Sequence, residues 1–126
     1  MSRLCWICLA GAAGTGTRYL VALWAAQRFG SSFPVGTLIV NLAGCFVMAF
    51  LMQTAISLAW SPTLRSALTI GYLGGLTTYS SFNYETTRMF QEGASGLALV
   101  NAGATILGGL VAGWLGLVLA RELAGQ

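Results

Sequence analysis

No acidic side chain occurs anywhere in residues 4–84, which removes most of what a chain of this length could fold into. The only acids are Glu85, Glu92 and Glu122, all six cations are arginine, and there is no lysine, histidine or aspartate. General acid–base chemistry, Ser/His/Asp catalysis and a His/Asp metal site all lack their usual participants. An enzyme is therefore not expected. Charged residues make up 7% of the chain and hydrophobic ones 56%, whereas soluble domains carry about a quarter charged residues. Such a chain cannot clothe a water-facing surface, so it is expected in a bilayer, as one transmembrane domain filling its 126 residues. The net charge of +3 reads as interfacial anchoring rather than nucleic-acid binding.

Four apolar spans are predicted, at about residues 4–26, 34–58, 62–91 and 97–119, making an all-α membrane protein. Arg3 followed by an apolar run imitates a signal peptide, but the run is long and three more spans follow, which favours a retained helix. The second span starts at Pro34 with Ser32 as a candidate N-cap, and Ser61-Pro62 places proline in the first turn of the third. Short connections give an up-down-up-down bundle. Arg3, Arg65 and Arg121 then fall on one side of the membrane, and Arg28 and Arg88 on the other, with Arg18 inside the first helix nearer that second side. Orientation follows an excess of positive charge on one side, and here there is almost none. The chain is thus expected to insert both ways up and to assemble as a dual-topology antiparallel homodimer.

Other patterns carry less. Cys5 and Cys8 form a CxxC without a preceding strand or further ligands, so they and Cys45 read as small apolar packers. Gly71 and Gly75, and Gly109, Gly113 and Gly116, have the small-residue spacing that lets helices approach closely in lipid. "GAAGTGTR", residues 11–18, lacks the Lys-Ser/Thr ending and the strand that a phosphate loop needs.

The third span is different. Residues 62–91 would measure about 45 Å as one helix, more than the roughly 30 Å hydrocarbon core. Gly74-Gly75-Leu76-Thr77-Thr78 lies at the midpoint, where a glycine pair and β-branched threonines weaken a helix. A break near the centre is expected. Backbone groups freed there need protein, water or an ion. Two such breaks meeting on a two-fold axis at mid-depth would form an oxygen cage suited to a small hard cation. Beyond it, Tyr79 and Phe82 share one helix face, while Ser80 and Asn83 share a neighbouring one. Positive ring edges and hydroxyl or amide donors could pass a small anion without trapping it, though such aromatics also serve as plain interhelical packing.

Residues 71–82, GYLGGLTTYSSF, followed by Glu85, resemble the third-helix signature of the Fluc/CrcB fluoride channels. "GTLIVNLAG", residues 36–44, resembles that family's second-helix motif, and "GTGTRY", residues 14–19, its first. The similarity runs through all four spans, with the three motifs in the family's order.

That resemblance implies a multi-pass, dual-topology homodimer of the cell inner (plasma) membrane that exports fluoride passively through two antiparallel pores. It implies a structural sodium ion held by backbone carbonyls at Gly74 and Thr77. The anion pathway maps onto Asn41, Tyr79, Ser80, Phe82, Asn101 and Thr105, and the vestibule onto Arg18 and Glu85. Tyr79 stands where phenylalanine is usual, Asn101 where some members have tyrosine, and Gly109 where some have serine. Two other classes share the length and helix count. A small four-helix multidrug-type exporter needs a membrane-embedded carboxylate, which the first two spans lack. A non-conducting assembly subunit would leave the third-span polar cluster without a role.

Overall fold

A computed structural model describes residues 2–125. Four long helical segments account for nearly all of them, and the third is interrupted. The first helix is Ser2–Phe29 and the second Val35–Ser57. The third begins at Pro62, passes through a wider π-helical stretch at Ala67–Leu73, and ends its first half at Leu76. Its second half is Tyr79–Gln91, and the fourth helix is Ser95–Ala124. The outer helices thus run a few residues beyond their predicted spans. Val35–Ser57 and Ser95–Ala124 are long and apolar enough to cross a membrane, yet only 22% and 11% of their most apolar stretches are buried. A soluble protein buries such helices. Here Trp6, Trp24, Trp114 and many leucines face outward, as expected where the surrounding solvent is lipid.

Helix ends follow the sequence with one exception. Ser61 caps the third helix, its hydroxyl accepting from Leu64 N–H at 3.2 Å, with Pro62 in the first turn as expected. Ser32, by contrast, is not the cap of the second helix. It lies in the bend before Pro34, and Pro34 itself occupies the cap position without a side-chain bond. Gly30 and Gly93 turn the chain with φ of +79° and +78°, a region open to glycine at little cost.

Pairing runs in a consistent direction. Gly71 faces Ile7 and Ala10, and Gly75 faces Gly11 and Thr15, so the first helix and the first half of the third run parallel. A Cβ on Gly71 would lie 2.6 Å from the Ile7 carbonyl oxygen, and one on Gly14 would overlap the Tyr72 carbonyl. The two backbones therefore touch directly. Gly108 meets Leu42, Gly109 meets Cys45 and Gly116 meets Phe46, so the second and fourth helices also run parallel. Both glycine ladders serve close approach, the use their spacing predicts. Between the pairs, Val40, Leu73 and Leu76 form a small apolar core, with Val21, Val47, Met48 and Leu51 packed on it. Cys5, Cys8 and Cys45 are free thiols.

The interruption falls within the expected stretch, at its Thr77-Thr78 end, while the glycine pair stays helical. Gly74, Gly75 and Leu76 remain helical, then Thr77 (φ −84°, ψ 155°) and Thr78 (φ −151°, ψ 114°) are fully extended. Glycine's weak helix propensity is overruled because packing on the first helix holds Gly75 in place. Thr77 N–H still serves the Leu73 carbonyl at 3.0 Å, and it is Thr78 N–H that a competing side chain takes.

Candidate functional site

The site begins with one side chain of the second helix. Asn41 is buried, and its amide pairs with both polar groups of the Thr78 residue. Thr78 N–H donates to Asn41 Oδ1 at 2.8 Å, and Asn41 Nδ2 donates to the Thr78 carbonyl at 3.1 Å. A strand neighbour would make the same two bonds to an extended residue. One turn on, Gly44 leaves the space that the Thr77 methyl occupies, where any Cβ would collide. Asn41 and Gly44 thus shape the break from one face of the second helix.

The second half of the third helix starts from this point. Thr78 is its N-cap, the hydroxyl accepting from Ser81 N–H at 3.2 Å and donating to the Ser81 hydroxyl at 3.0 Å. The Ser80 hydroxyl lies 3.2 Å from it. These substitutions redirect two donors. In a continuous helix Thr78 N–H would serve the Gly74 carbonyl and Ser81 N–H the Thr77 carbonyl. Because Asn41 and Thr78 Oγ1 take those protons instead, the Gly74 and Thr77 oxygens lose their helical partners. Of the two carbonyls between them in sequence, Gly75 and Leu76, the first accepts from Arg18 Nε at 3.1 Å. The freed pair are neutral oxygens, the donor type hard cations prefer.

Side chains then spread outward along this half-helix. The Tyr79 and Phe82 rings sit with centroids 5.8 Å apart and planes tilted by 57°. Their settings differ sharply, Tyr79 being 78% exposed in the single chain and Phe82 only 8%. Ser80 and Asn83 are exposed. Asn101 on the fourth helix donates to Thr86 Oγ1 at 2.8 Å, and Thr86 donates to the Phe82 carbonyl at 2.7 Å. One turn further along the fourth helix, Thr105 Oγ1 is buried with no hydrogen-bond partner among the described residues.

Arg18 and Glu85 line a common cleft of about 310 Å³, together with Thr37, Thr78 and Ser81. Thr37 donates to Glu85 Oε1 at 2.7 Å, while Oε2 is buried without a partner. A wider cavity of about 650 Å³ adjoins it, bounded by the 30–37 connection and by Ser80, Tyr84, Glu85 and Arg88. Arg88 is paired with Glu92 at 2.7 Å on the exposed surface.

The structure therefore gathers Asn41, Thr77 and Ser80 at the break, Tyr79 with Phe82, and Arg18 with Glu85. Asn101 joins Phe82 only through Thr86, and Thr105 stands apart. Gly109 packs on Cys45, where a Cβ would lie 3.3 Å from the sulfur. Sequence reasoning missed Thr37, Gly44 and Thr86. The spacing of Thr37, Asn41 and Gly44, four and three residues apart on a single helix face, was the signal that could have revealed two of them.

A family model described as "CrcB-like protein, Camphor Resistance (CrcB)" matches residues 5–117. A protein of Anaeromyxobacter sp. (strain K) named fluoride-specific ion channel FluC is 47% identical over 126 residues, spanning 99% of this chain and 100% of the relative. Proteins with that name from Citrifermentans bemidjiense and Sorangium cellulosum are 45% and 47% identical over 124 residues, each spanning 98% of this chain and respectively 100% and 98% of the relative. Similarity of this depth, running from the first helix through the broken third to the fourth, makes the chain a member of the Fluc/CrcB family.

Proposed function

We propose that this protein is a fluoride channel that crosses the cell inner membrane four times and lets fluoride leave the cytoplasm passively, lowering its toxicity. Two oppositely inserted copies form the working unit, with one pore in each direction. The observation that carries this reading is the end-to-end similarity to relatives named fluoride-specific ion channels. The geometry supplies parts such a task needs.

Fluoride is small and tightly hydrated, so a selective route replaces its water with hydrogen-bond donors in a narrow passage. Anions first meet the Arg18 cleft, where the guanidinium is steadied by its bond to the Gly75 carbonyl. Thr37 holds Glu85 to the wall of that cleft. Past it, the Ser80 and Tyr79 hydroxyls and the unengaged Thr105 hydroxyl can donate, and the Tyr79 and Phe82 ring edges offer weak positive charge. Asn41 shapes the break with one Nδ2 hydrogen and retains the second for the pathway. Sodium, a hard cation, fits the Gly74 and Thr77 carbonyls. Those oxygens would hold it at the contact between the two copies. When bound, the ion supplies a fixed positive charge and a bond between the subunits.

Proteoliposomes loaded with fluoride provide the test. The wild type releases fluoride rapidly without a proton gradient and retains chloride. Phe82→Ile reduces that efflux by more than about tenfold, or roughly 1.4 kcal/mol of barrier. Absence of fluoride efflux from monodisperse wild type overturns the reading, and a strict requirement for a proton gradient points instead to an exporter. Prolonged exchange into sodium-free buffer weakens the dimer and slows flux. An unchanged rate there removes sodium from the account.

A further inference from the structure

Asn101 is among the most deeply buried large side chains in the molecule, at 1% exposure within a single chain. Association with a partner can only reduce access further, and fluoride is about the size of the water molecule that cannot reach it. One of its Nδ2 hydrogens is committed to Thr86 Oγ1 at 2.8 Å, and it is burial that keeps the other from an anion. Thr105, one turn away on the same helix, has a hydroxyl that no group engages. These neighbours thus differ, one bonded to another helix of its own subunit and the other unengaged.

Thr86 has a single proton, which goes to the Phe82 carbonyl at 2.7 Å. A threonine bonding back to the carbonyl four residues earlier is ordinary. A buried amide from another helix feeding that same oxygen is not. The resulting series, Asn101 amide to Thr86 hydroxyl to Phe82 carbonyl, joins the fourth helix to the backbone bearing the buried ring. Rotation of this half-helix would carry the Phe82 ring with it, and the series opposes such rotation.

Resting on the fluoride-channel reading, we infer that Asn101 and Thr86 are positioning residues that fix the Phe82 ring, and that Asn101 acts through Thr86 rather than as a donor to the anion. Thr86 is then a determinant of selectivity that the pore-lining pattern alone does not reveal.

The test compares Thr86→Val, Thr86→Ser, Asn101→Leu and the Val/Leu double variant. Each is measured for fluoride and chloride flux in proteoliposomes and for dimer integrity in detergent. Thr86→Ser keeps both bonds and is expected to retain wild-type flux and selectivity. Thr86→Val and Asn101→Leu are each expected to lower the fluoride-to-chloride ratio about tenfold, and the double variant no further. A direct anion contact by Asn101 predicts the contrary, a further large loss when Asn101→Leu is added to Thr86→Val. That result, or wild-type selectivity in Thr86→Val, overturns the inference. A second readout is independent of transport: the fluorine NMR signal of 3-fluorophenylalanine incorporated at Phe82. It should shift or split in Thr86→Val and keep its wild-type position in Thr86→Ser, and an unmoved signal in Thr86→Val overturns the link even where flux is lost through misfolding. If the wild type carries no fluoride, the channel reading fails by itself, while this signal still decides whether Thr86 holds the ring.

Discussion

The two halves of the third helix are held in place by different physics. Before the break, Gly71 and Gly75 bring one backbone against another, and no side chain of that face intervenes. After it, Glu85, Thr86 and the Thr78 cap are tied by directional hydrogen bonds to Thr37, Asn101 and Asn41. The first half is positioned mainly by volume, supplemented by the Arg18 bond to the Gly75 carbonyl and the Tyr72 bond to Thr17. The second is positioned by donors and acceptors, leaving Tyr79, Ser80 and Asn83 outward. In lipid, where apolar burial gains little, close contact and hydrogen bonding are the two remaining means of fixing a helix. This one element uses both, and divides them at Thr77-Thr78.

Substitutions that exchange volume for polarity can break that division. The largest effect is expected from Gly14→Leu, whose side chain would displace the Tyr72 backbone. It should cost more than about 4 kcal/mol, so that no monodisperse protein is recovered by size-exclusion chromatography. Next is Asn41→Leu, nearly equal in size, which strands both polar groups of Thr78. A loss of about 3 kcal/mol in detergent unfolding is expected, along with fluoride efflux reduced more than about tenfold. Recovery of wild-type stability there would mean that the second half is also set by shape. Thr37→Val removes the single donor seen on Glu85. It should cost about 1 kcal/mol by the same unfolding assay, and it should alter fluoride entry more than folding. The smallest effect is expected from Ser61→Ala, about 0.5–1 kcal/mol of cap with flux unchanged. A large transport defect from that distant cap would blur the division altogether.

The sequence made some of this legible and hid the rest for identifiable reasons. The four helices follow from apolar length and missing charge, and both glycine ladders from spacing along one chain. The polar cluster from Thr77 to Glu85 was equally plain, because polarity inside an apolar run is conspicuous. The position of the break was not. Propensity pointed to the whole stretch from Gly74 to Thr78, whereas the choice of Thr77-Thr78 within it was set by Asn41, which lies on another helix. Propensity describes a residue alone, and a competing hydrogen bond depends on which helix faces it. Thr86 was hidden for a similar reason, since a threonine in a membrane helix commonly bonds its own backbone. Only the burial of Asn101 against it distinguishes this one.

The pairing of Asn41 with Thr78 has one more consequence. A primary amide presents the same donor and acceptor as a neighbouring peptide, so the kink is stitched shut by parts of the chain itself that never leave. Its geometry therefore predates any visitor: the helix is already broken, and no ligand is needed to bend it.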